Sequence, residues 1–241
     1  MLDYDREAAG YDASRGGEAR AVAAAEAVER LLPEDTRVVL DVACGTGIVT
    51  RRLTRPGRLV VGIDRSHGMA AVASTRLPGA VVLGDAARLP VGSDRTDAVV
   101  LIWLLHLLDD AAPVLAEAAR VLRAGGALIT TVDKDQAAFA VDSDVAAVTA
   151  AARRAYAPKG PDHVDRVVAS AAGLGLRVVG ETTFAGVGQG RSPRQWRERI
   201  MEGRIRWARA ADPARIAEEL SSLPDQEVAR ADPVYRLIAL A

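Results

Sequence analysis

The segment Val38–Gly47 constrains the fold of this chain more than any other. A short β-branched run, Val38 to Leu40, leads to Asp41, and the small residues Ala43-Cys44-Gly45-Thr46-Gly47 follow. A strand that passes through a glycine turn towards a helix lets the backbone approach a ligand at the carboxyl edge of a sheet. The free N–H groups and the dipole of a helix start attract a carboxylate or hydroxyl as readily as a phosphate. We therefore expect a ligand site at this turn.

A dinucleotide site is the alternative interpretation of this turn. Its fingerprint, G-x-G-x-x-G, requires a third glycine where this chain has Thr50. The carboxylate of Asp41 also suits an amino group better than a pyrophosphate. No G-x-x-x-x-G-K-[ST] phosphate loop is present, which disfavours nucleotide triphosphate chemistry. A nicotinamide-dependent oxidoreductase is kept as the less favoured alternative.

Strands and helices alternate over short connections, which predicts a mostly parallel sheet with right-handed crossovers. The patterns predict strands at 37–42, 58–63, 80–84, 96–102, 127–132, 176–183 and 235–240. They predict helices at 17–32, 47–54, 67–76, 112–122, 141–157 and 161–173. Three of the strands end in an acid, and these acids, Asp41, Asp64 and Asp85, are expected on one rim of the sheet. In a nucleotide-binding α/β fold such an acid receives ribose hydroxyls.

The motifs resemble those of the class I S-adenosylmethionine (SAM)-dependent methyltransferases, of the small-molecule type typified by ubiquinone and menaquinone biosynthesis. The stretch VLDVACGTG is similar to the first motif of that family. Asp64-Arg65-Ser66-His67-Gly68-Met69 resembles its D-x-S-x-x-M pattern, and Asp85-Ala86 resembles the pair at the adenine edge. The resemblance covers about residues 35–133. It implies a Rossmann-like, doubly wound α/β fold with a seven-stranded, mostly parallel sheet and an antiparallel last strand at the edge.

The N-terminal segment extends the resemblance. Tyr4-Asp5…Tyr11-Asp12…Arg15-Gly16 is similar to the lead-in of small-molecule methyltransferases, in which this segment folds over the cofactor. By resemblance, Tyr11 covers SAM and Arg15 holds its carboxylate, because a guanidinium grips a carboxylate bidentately. A frayed, charged terminus is the alternative.

The resemblance implies SAM as the cofactor. The residues expected to bind it are Tyr11, Arg15, Asp41, Ala43, Cys44, Gly45, Gly47, Asp64, Arg65, Met69, Asp85, Ala86 and Ile102.

His106 is the candidate catalytic residue. It lies in Trp103–Asp110, which resembles the family's L-H-H-L-x-D segment, although Leu107 replaces the second histidine. An imidazole there could take a proton from the acceptor. The alternative is that His106 only shapes the pocket.

The expected activity is transfer of a methyl group (EC 2.1.1 class) to O or N, and less readily C, of a small molecule such as a bacterial secondary metabolite. Displacement from a sulfonium releases a neutral leaving group, so proximity and desolvation can supply much of the rate. A SAM-binding scaffold or sensor without transferase activity is the alternative of another class.

Composition narrows the partners. The net charge of −1 and aromatic content of 4% disfavour nucleic acid and anionic membranes. The lone cysteine, Cys44, has no internal disulfide partner, and the three scattered histidines show no metal spacing. The polar N-terminus does not resemble a secretory signal, and no apolar run reaches spanning length. We expect a cytoplasmic protein, a monomer or a homodimer.

The chain is expected to form one domain over residues 1–241, with a core of about 17–183 and 231–241. A helical insertion at about 186–230 lies between strands six and seven and is rich in arginine. Long insertions at a ligand edge usually carry function. Its arginines form either a solvated helix face or part of an acceptor pocket for an acidic or phosphorylated small molecule.

Overall fold

The structure, a computed structural model, describes residues 3–241, so Met1 and Leu2 of the expected domain lie outside it. Seven strands form one sheet: β1 Val38–Val42, β2 Leu59–Asp64, β3 Val81–Leu83, β4 Thr96–Leu101, β5 Leu122–Val132, β6 Val178–Ala185 and β7 Val234–Leu240. The α-helices are α1 Tyr4–Glu7, α2 Tyr11–Ser14, α3 Gly17–Glu29, α4 His67–Arg76, α5 Ala112–Val121, α6 Asp144–Tyr156, α7 Val164–Ala172, α8 Pro193–Met201, α9 Arg206–Arg209 and α10 Pro213–Ser221.

The strand order is β3-β2-β1-β4-β5-β7-β6. The first five strands run parallel to one another, and β7 is antiparallel to both of its neighbours. The direction of winding reverses between β1 and β4, so a crevice opens beyond the carboxyl ends of these strands. This architecture confirms the predicted doubly wound sheet and the helices between strands six and seven.

The expectation that the last strand forms the edge of the sheet is wrong. β7 lies between β5 and β6, and β6 is the edge strand. The burial of the two strands explains the order. Leu237, Ile238, Ala239 and Leu240 are all buried, which requires cover on both faces, whereas Val179 of β6 is 58% exposed.

The predicted helix at 47–54 is also wrong. Only one 3₁₀ turn, Thr50–Leu53, forms there. Gly47 has a φ of 72°, outside the helical region, and Thr54 is already extended. Ile48, Val49 and Thr50 are β-branched, which further disfavours a helix. Other predicted elements differ mainly at their ends, the largest difference being that β5 begins at Leu122 rather than 127.

Helices cover both faces of the sheet. One apolar layer joins β1, β4 and β5 to α5 and α7, and the other joins the sheet to α3. A third cluster unites α6 with α8–α10 around Phe139, Trp196 and Trp207. The ring centroids of Phe139 and Trp196 lie 5.0 Å apart. Within residues 3–241, no helix is both long and apolar enough to span a membrane.

Candidate functional site

The turn after β1 has the backbone geometry that its small residues predict. Ala43, Gly45 and Gly47 have φ values of 59°, 57° and 72°, all in the left-handed region. A Cβ on Gly47 would lie 3.2 Å from both Ala73 Cβ and Leu77 Cδ1. The second glycine therefore lets α4 pack against the turn.

Asp64, at the end of β2, fixes the turn after β1. Its carboxylate accepts hydrogen bonds from Gly45 N at 2.8 Å and from Ser66 N at 2.9 Å. Ser66 also caps α4, accepting from Met69 N at 3.1 Å. The ends of β1 and β2 are thus joined through one buried carboxylate.

Asp41 is almost completely buried, at 3% exposure. Thr50 Oγ1 donates a hydrogen bond to its Oδ2. Burial raises the pKa of Asp41 to about 7; the Thr50 hydrogen bond opposes this effect, and the charge of Asp64 adds to it. A cationic ligand group near Asp41 would restore its ionised form.

Cys44 fills space between the turn and β2. A Cβ on Gly62 would lie only 2.8 Å from the Cys44 sulfur, and Cys44 N donates to Ile63 O at 3.0 Å. Burial raises the pKa of the thiol above its usual value. The side chain is thus a packing element, with no thiolate available as a nucleophile.

A cavity of about 540 Å³ lies in the crevice between β1 and β4. It brings together most of the predicted cofactor residues, namely Tyr11, Asp41, Ala43, Cys44, Gly45, Asp64, Arg65, Met69, Asp85, Ala86 and Ile102. Three predicted residues, Arg15, Gly47 and His106, do not line it.

The N-terminal segment closes over this cavity. Asp5 Oδ1 accepts hydrogen bonds from Ser66 Oγ at 2.6 Å and from Gly68 N at 2.8 Å. Asp12 accepts from Thr46 Oγ1 at 2.6 Å and pairs with Arg76 at 2.7 Å. α1 and α2 are therefore tied to the turn and to the start of α4, so the segment is not a frayed terminus.

At the far end of the cavity, Asp85 follows β3 and is exposed. Its carboxylate accepts a hydrogen bond from Ala87 N at 2.9 Å, which shapes the loop. Met69 from α4 is almost completely buried and also lines the cavity. This end of the cavity offers one acid beside apolar surface.

Arg20 is a cavity residue that the sequence reasoning missed. Its side chain is only 7% exposed, and its guanidinium carbon lies 3.9 Å from the Trp103 ring centroid. Its Nε is buried without a hydrogen-bond partner, and no carboxylate in residues 3–241 forms an ion pair with it. The sequence did carry a signal, because Arg20 is spaced four and seven residues from the buried Ala24 and Ala27.

Arg15 lies beside the cavity rather than on its surface. Its guanidinium carbon lies 5.4 Å from the Tyr11 ring centroid, and its Nε is buried without a partner. The positive charge of Arg15 acts on Arg20, lowering the pKa of that guanidinium further below the value that burial gives it.

His106 lines a different, small cavity of about 20 Å³, next to Asp133, Tyr156 and His163. Its Nδ1 is buried without a partner. Burial lowers the pKa of His106 well below its usual value, and the charges of Lys134, Arg206 and Arg15 lower it further. The imidazole is therefore neutral at pH 7.

Trp103 forms part of the wall between the cofactor cavity and the last strands of the sheet. It has a φ of 57°, uncommon for so large a side chain, and its backbone N–H donates to Thr131 Oγ1 at 2.9 Å, whereas its indole Nε1 is buried without a partner. Its ring packs edge-on against Phe184 and Tyr235, at 5.7 and 5.5 Å between centroids. The strained backbone thus holds an aromatic wall beside Arg20.

Among residues 3–241, no group of three or more His, Cys, Asp or Glu side chains could hold a metal ion.

Comparison with known proteins agrees with this geometry. Residues 40–130 match the methyltransferase domain family. An uncharacterized methyltransferase of Mycobacterium tuberculosis is 41% identical over 104 residues, which are 43% of this chain and 42% of that protein. A demethylmenaquinone methyltransferase of the same species is 45% identical over 92 residues, 38% of each chain. The chain therefore matches about two fifths of the length of these relatives.

The fold comparison extends over nearly the whole chain. The crystal structure of a SAM-dependent methyltransferase from Thermotoga maritima, described as a possible histamine N-methyltransferase, has a TM-score of 0.58 and 19% identity. The alignment covers 99% of this chain and 97% of the other. Residues 40–130 thus match the methyltransferase domain family, and the doubly wound sheet with its crevice between β1 and β4 has the fold of a SAM-dependent methyltransferase.

Proposed function

We propose that the protein transfers a methyl group from SAM to an oxygen or nitrogen atom, and less readily a carbon atom, of a small molecule. The observation that carries this proposal is the cavity at the switch point of the sheet, where Asp41, Asp64 and Asp85 meet the unpaired cation Arg20. An acid for ribose hydroxyls, an acid for an ammonium group and an arginine for a carboxylate match the functional groups of SAM.

Each end of the cofactor has proposed partners. We assign the ribose to Asp64, the adenine to the Asp85-Ala86 pair with Met69, and the ammonium group to the vicinity of Asp41. We assign the carboxylate to Arg20, because Arg20 lines the cavity and Arg15 does not. Arg15 remains an alternative for the same role.

When bound, SAM supplies an electrophilic methyl group on a sulfonium whose departure leaves a neutral thioether. The protein's part is then to position the acceptor and exclude water. The segments α1 and α2 cover the cavity, while Ile102 and Leu104 line it with apolar surface. These residues support a desolvated reaction without an obligatory acid–base pair.

His106 is the proposed general base for acceptors that need deprotonation. Its imidazole is neutral, so it can accept a proton. Its neighbours Leu104 and Leu107 line the cofactor cavity, whereas the imidazole lines the small cavity next to it. The variant His106→Gln should have a lower kcat but an unchanged affinity for S-adenosylhomocysteine (SAH). Unchanged turnover would show that His106 only packs against its neighbours.

The acceptor is proposed to be a small molecule of the kind found in secondary metabolism. The M. tuberculosis relative named for demethylmenaquinone does not fix it, since that match spans only 38% of this chain. A net charge of −1 also gives no general attraction for nucleic acid.

Calorimetric titration of the purified protein with SAH tests the proposal, followed by incubation with SAM and candidate acceptors and detection of released SAH. One-to-one binding and acceptor-dependent release are expected. Binding of NAD(P) in place of SAH would overturn the proposal. SAH binding without turnover over a broad acceptor set would favour a scaffold or sensor.

A further inference from the structure

Four arginines converge where the N-terminal segment meets the helical insertion: Arg15, Arg20, Arg191 and Arg199, which we call the arginine cluster. Within residues 3–241, no carboxylate forms an ion pair with any of them. The Nε atoms of Arg15, Arg20 and Arg199 are buried without a hydrogen-bond partner. Arg20 is buried and the other three are half-buried. Removing a cation from water without an ion-pair partner is costly, so this arrangement favours a bound anion.

The charge of Arg15 acts on the other three arginines. Burial lowers the pKa values of Arg20, Arg191 and Arg199, the last to about 10, and the charge of Arg15 lowers all three further. Arg15 precedes Gly16, whose Cβ position would lie 3.2 Å from Arg20 Cβ and 2.9 Å from the carbonyl oxygen of Val187 in the insertion. The charges of Arg15 and Arg191 also lower the pKa of Lys134, whereas Asp135 and Asp162 raise it. Because Lys134 has these counter-charges, we do not include it in the arginine cluster.

A cavity of about 390 Å³ opens beside this cluster. Arg191 and Arg199 line it, together with the glycine-rich turn at 188–190 and residues of α2. Two acids also line it, but each has another partner: Glu198 pairs with Arg194 at 3.6 Å, and Glu202 pairs with Arg204 at 2.8 Å. The charge of Glu202 partly opposes the lowering of the Arg199 pKa, but neither acid forms an ion pair with Arg191 or Arg199.

This second cavity adjoins the cofactor cavity. A Cβ on Gly16, which lines the second cavity, would lie 3.2 Å from Arg20 Cβ, and Arg20 lines the first. Arg206 of the insertion donates to the carbonyl oxygens of Leu107 and Leu108, which also line the cofactor cavity. The insertion therefore contacts the wall of the cofactor cavity at Leu107 and Leu108.

We propose that Arg191 and Arg199, which line this second cavity, bind the acidic group, a carboxylate or a phosphate, of the molecule that is methylated. This inference rests on the proposed methyl transfer. Guanidinium groups bind both anions through paired hydrogen bonds, which would satisfy the donors left unpartnered here. Arg20 remains available for the carboxylate of the cofactor.

Calorimetric titrations with inorganic phosphate and with benzoate test the site, at constant ionic strength and with SAH present. The variants are Arg191→Gln and Arg199→Gln. The control is Arg197→Gln, which removes the same charge from the same helix, α8, at a position that does not line the cavity. One of the two anions should bind the parent protein and identify the acidic group; each cluster variant should weaken it about tenfold and the control should not, with SAH affinity unchanged.

Stability gives a second readout. Without the anion, Arg199→Gln should keep or raise the Tm, because it removes a partly buried charge without a counter-ion. A merely structural arginine would give a lower Tm. A crystal with SAH and the bound anion should show the anion on Arg191 and Arg199, with open space to the SAH sulfur.

The failures are distinguishable. If SAH binds and neither anion does, or if the cluster variants bind it as tightly as the control, the anion site is wrong. A closed wall between the anion and the sulfur would overturn its assignment to the acceptor. If an anion binds this cluster but SAH binds nowhere, the methyl-transfer proposal fails instead.

Discussion

The Thr50 hydroxyl donates a 2.5 Å hydrogen bond to the buried carboxylate of Asp41. Thr50 stands where a dinucleotide-binding turn has its third glycine, a position that such turns use for close packing of helix against strand. Here the Thr50 side chain donates a hydrogen bond to Asp41, the penultimate residue of β1. The substitution that disfavours a dinucleotide from sequence therefore has a structural purpose.

This bond predicts a stability difference. Thr50→Val keeps the shape but leaves the Asp41 oxygen without its donor, which should lower the free energy of unfolding by about 1–3 kcal/mol. Urea unfolding measures it, with the exposed Thr54→Val as control. Equal losses in the two variants would contradict the role of the bond.

Asp41 also predicts a pH dependence. Its pKa is raised from its ordinary 3.8 to about 7, so the folded protein holds a proton that the unfolded chain releases. Its contribution to stability is complete below pH 4 and is lost as the pH rises towards about 7. Asp162, whose pKa is raised to about 6, makes the same kind of contribution to the pH dependence of stability, and it does so equally in the parent and in an Asp41→Asn variant. Asp41→Asn should therefore gain stability relative to the parent as the pH rises through this window; parallel stability curves would refute the assignment.

Close packing at Gly47 can be separated from its backbone conformation. Gly47→Ala and Gly57→Ala both place a Cβ at positive φ, 72° and 79°, but only Gly47 faces atoms within 4 Å. Gly47→Ala should be the more destabilising by about 1–3 kcal/mol, because of the contacts with Ala73 and Leu77. Thermal or urea unfolding compares the two variants, and similar losses of stability would mean that α4 shifts to make room for the added methyl group.

Asp64 is expected to bind the cofactor ribose. Asp64→Ala should weaken SAH binding by about 1.5–3 kcal/mol, typical of lost hydrogen bonds to a charged group. The control, Asp109→Ala, removes an exposed acid from the rim of the same cavity. Unchanged calorimetric affinity in a folded Asp64 variant would defeat the assignment.

Arg20 and Arg15 can be distinguished by the ligand. Arg20→Met should weaken SAH about tenfold but leave methylthioadenosine binding nearly unchanged, because that nucleoside lacks the carboxylate. Arg15→Met should affect SAH less, since Arg15 does not line the cavity. A larger loss of SAH affinity in Arg15→Met than in Arg20→Met would show that Arg15, rather than Arg20, binds the carboxylate of the cofactor.

The N-terminal segment is expected to slow cofactor release. Asp5→Ala removes the acceptor of two hydrogen bonds, from Ser66 and Gly68, that hold this segment to α4. SAH should dissociate faster, and amides of residues 4–14 should exchange faster with deuterium. Arg6→Ala, at an 89% exposed side chain, is the control. Unchanged dissociation would show that the contact does not govern release.

Local signals in the sequence predicted most strand ends and the glycine turn around the cofactor cavity, although not the 3₁₀ turn Thr50–Leu53 or the place of Arg20. β-branched runs ending in acids predicted β1 and β2, and α4 occurs at 67–76 as predicted, because Ser66 is a strong N-cap. The left-handed turn needed its glycines. These features depend on neighbours in the chain, and the parallel topology then brings the strand ends to one rim.

Contacts between distant residues decided the rest. β7 lies inside the sheet because β6 tolerates exposure better than β7 does. The residue pattern of β7 alone cannot show this, because it depends on comparing the two strands. Arg20 belongs to the cofactor cavity only because Trp103, far along the chain, packs on it. His106 faces a separate cavity, and the segments that carry Arg15 and the pair Arg191 and Arg199 are far apart in the sequence. Sequence periodicity records which residues avoid water, whereas the neighbours of a buried charge are fixed only when the chain is packed.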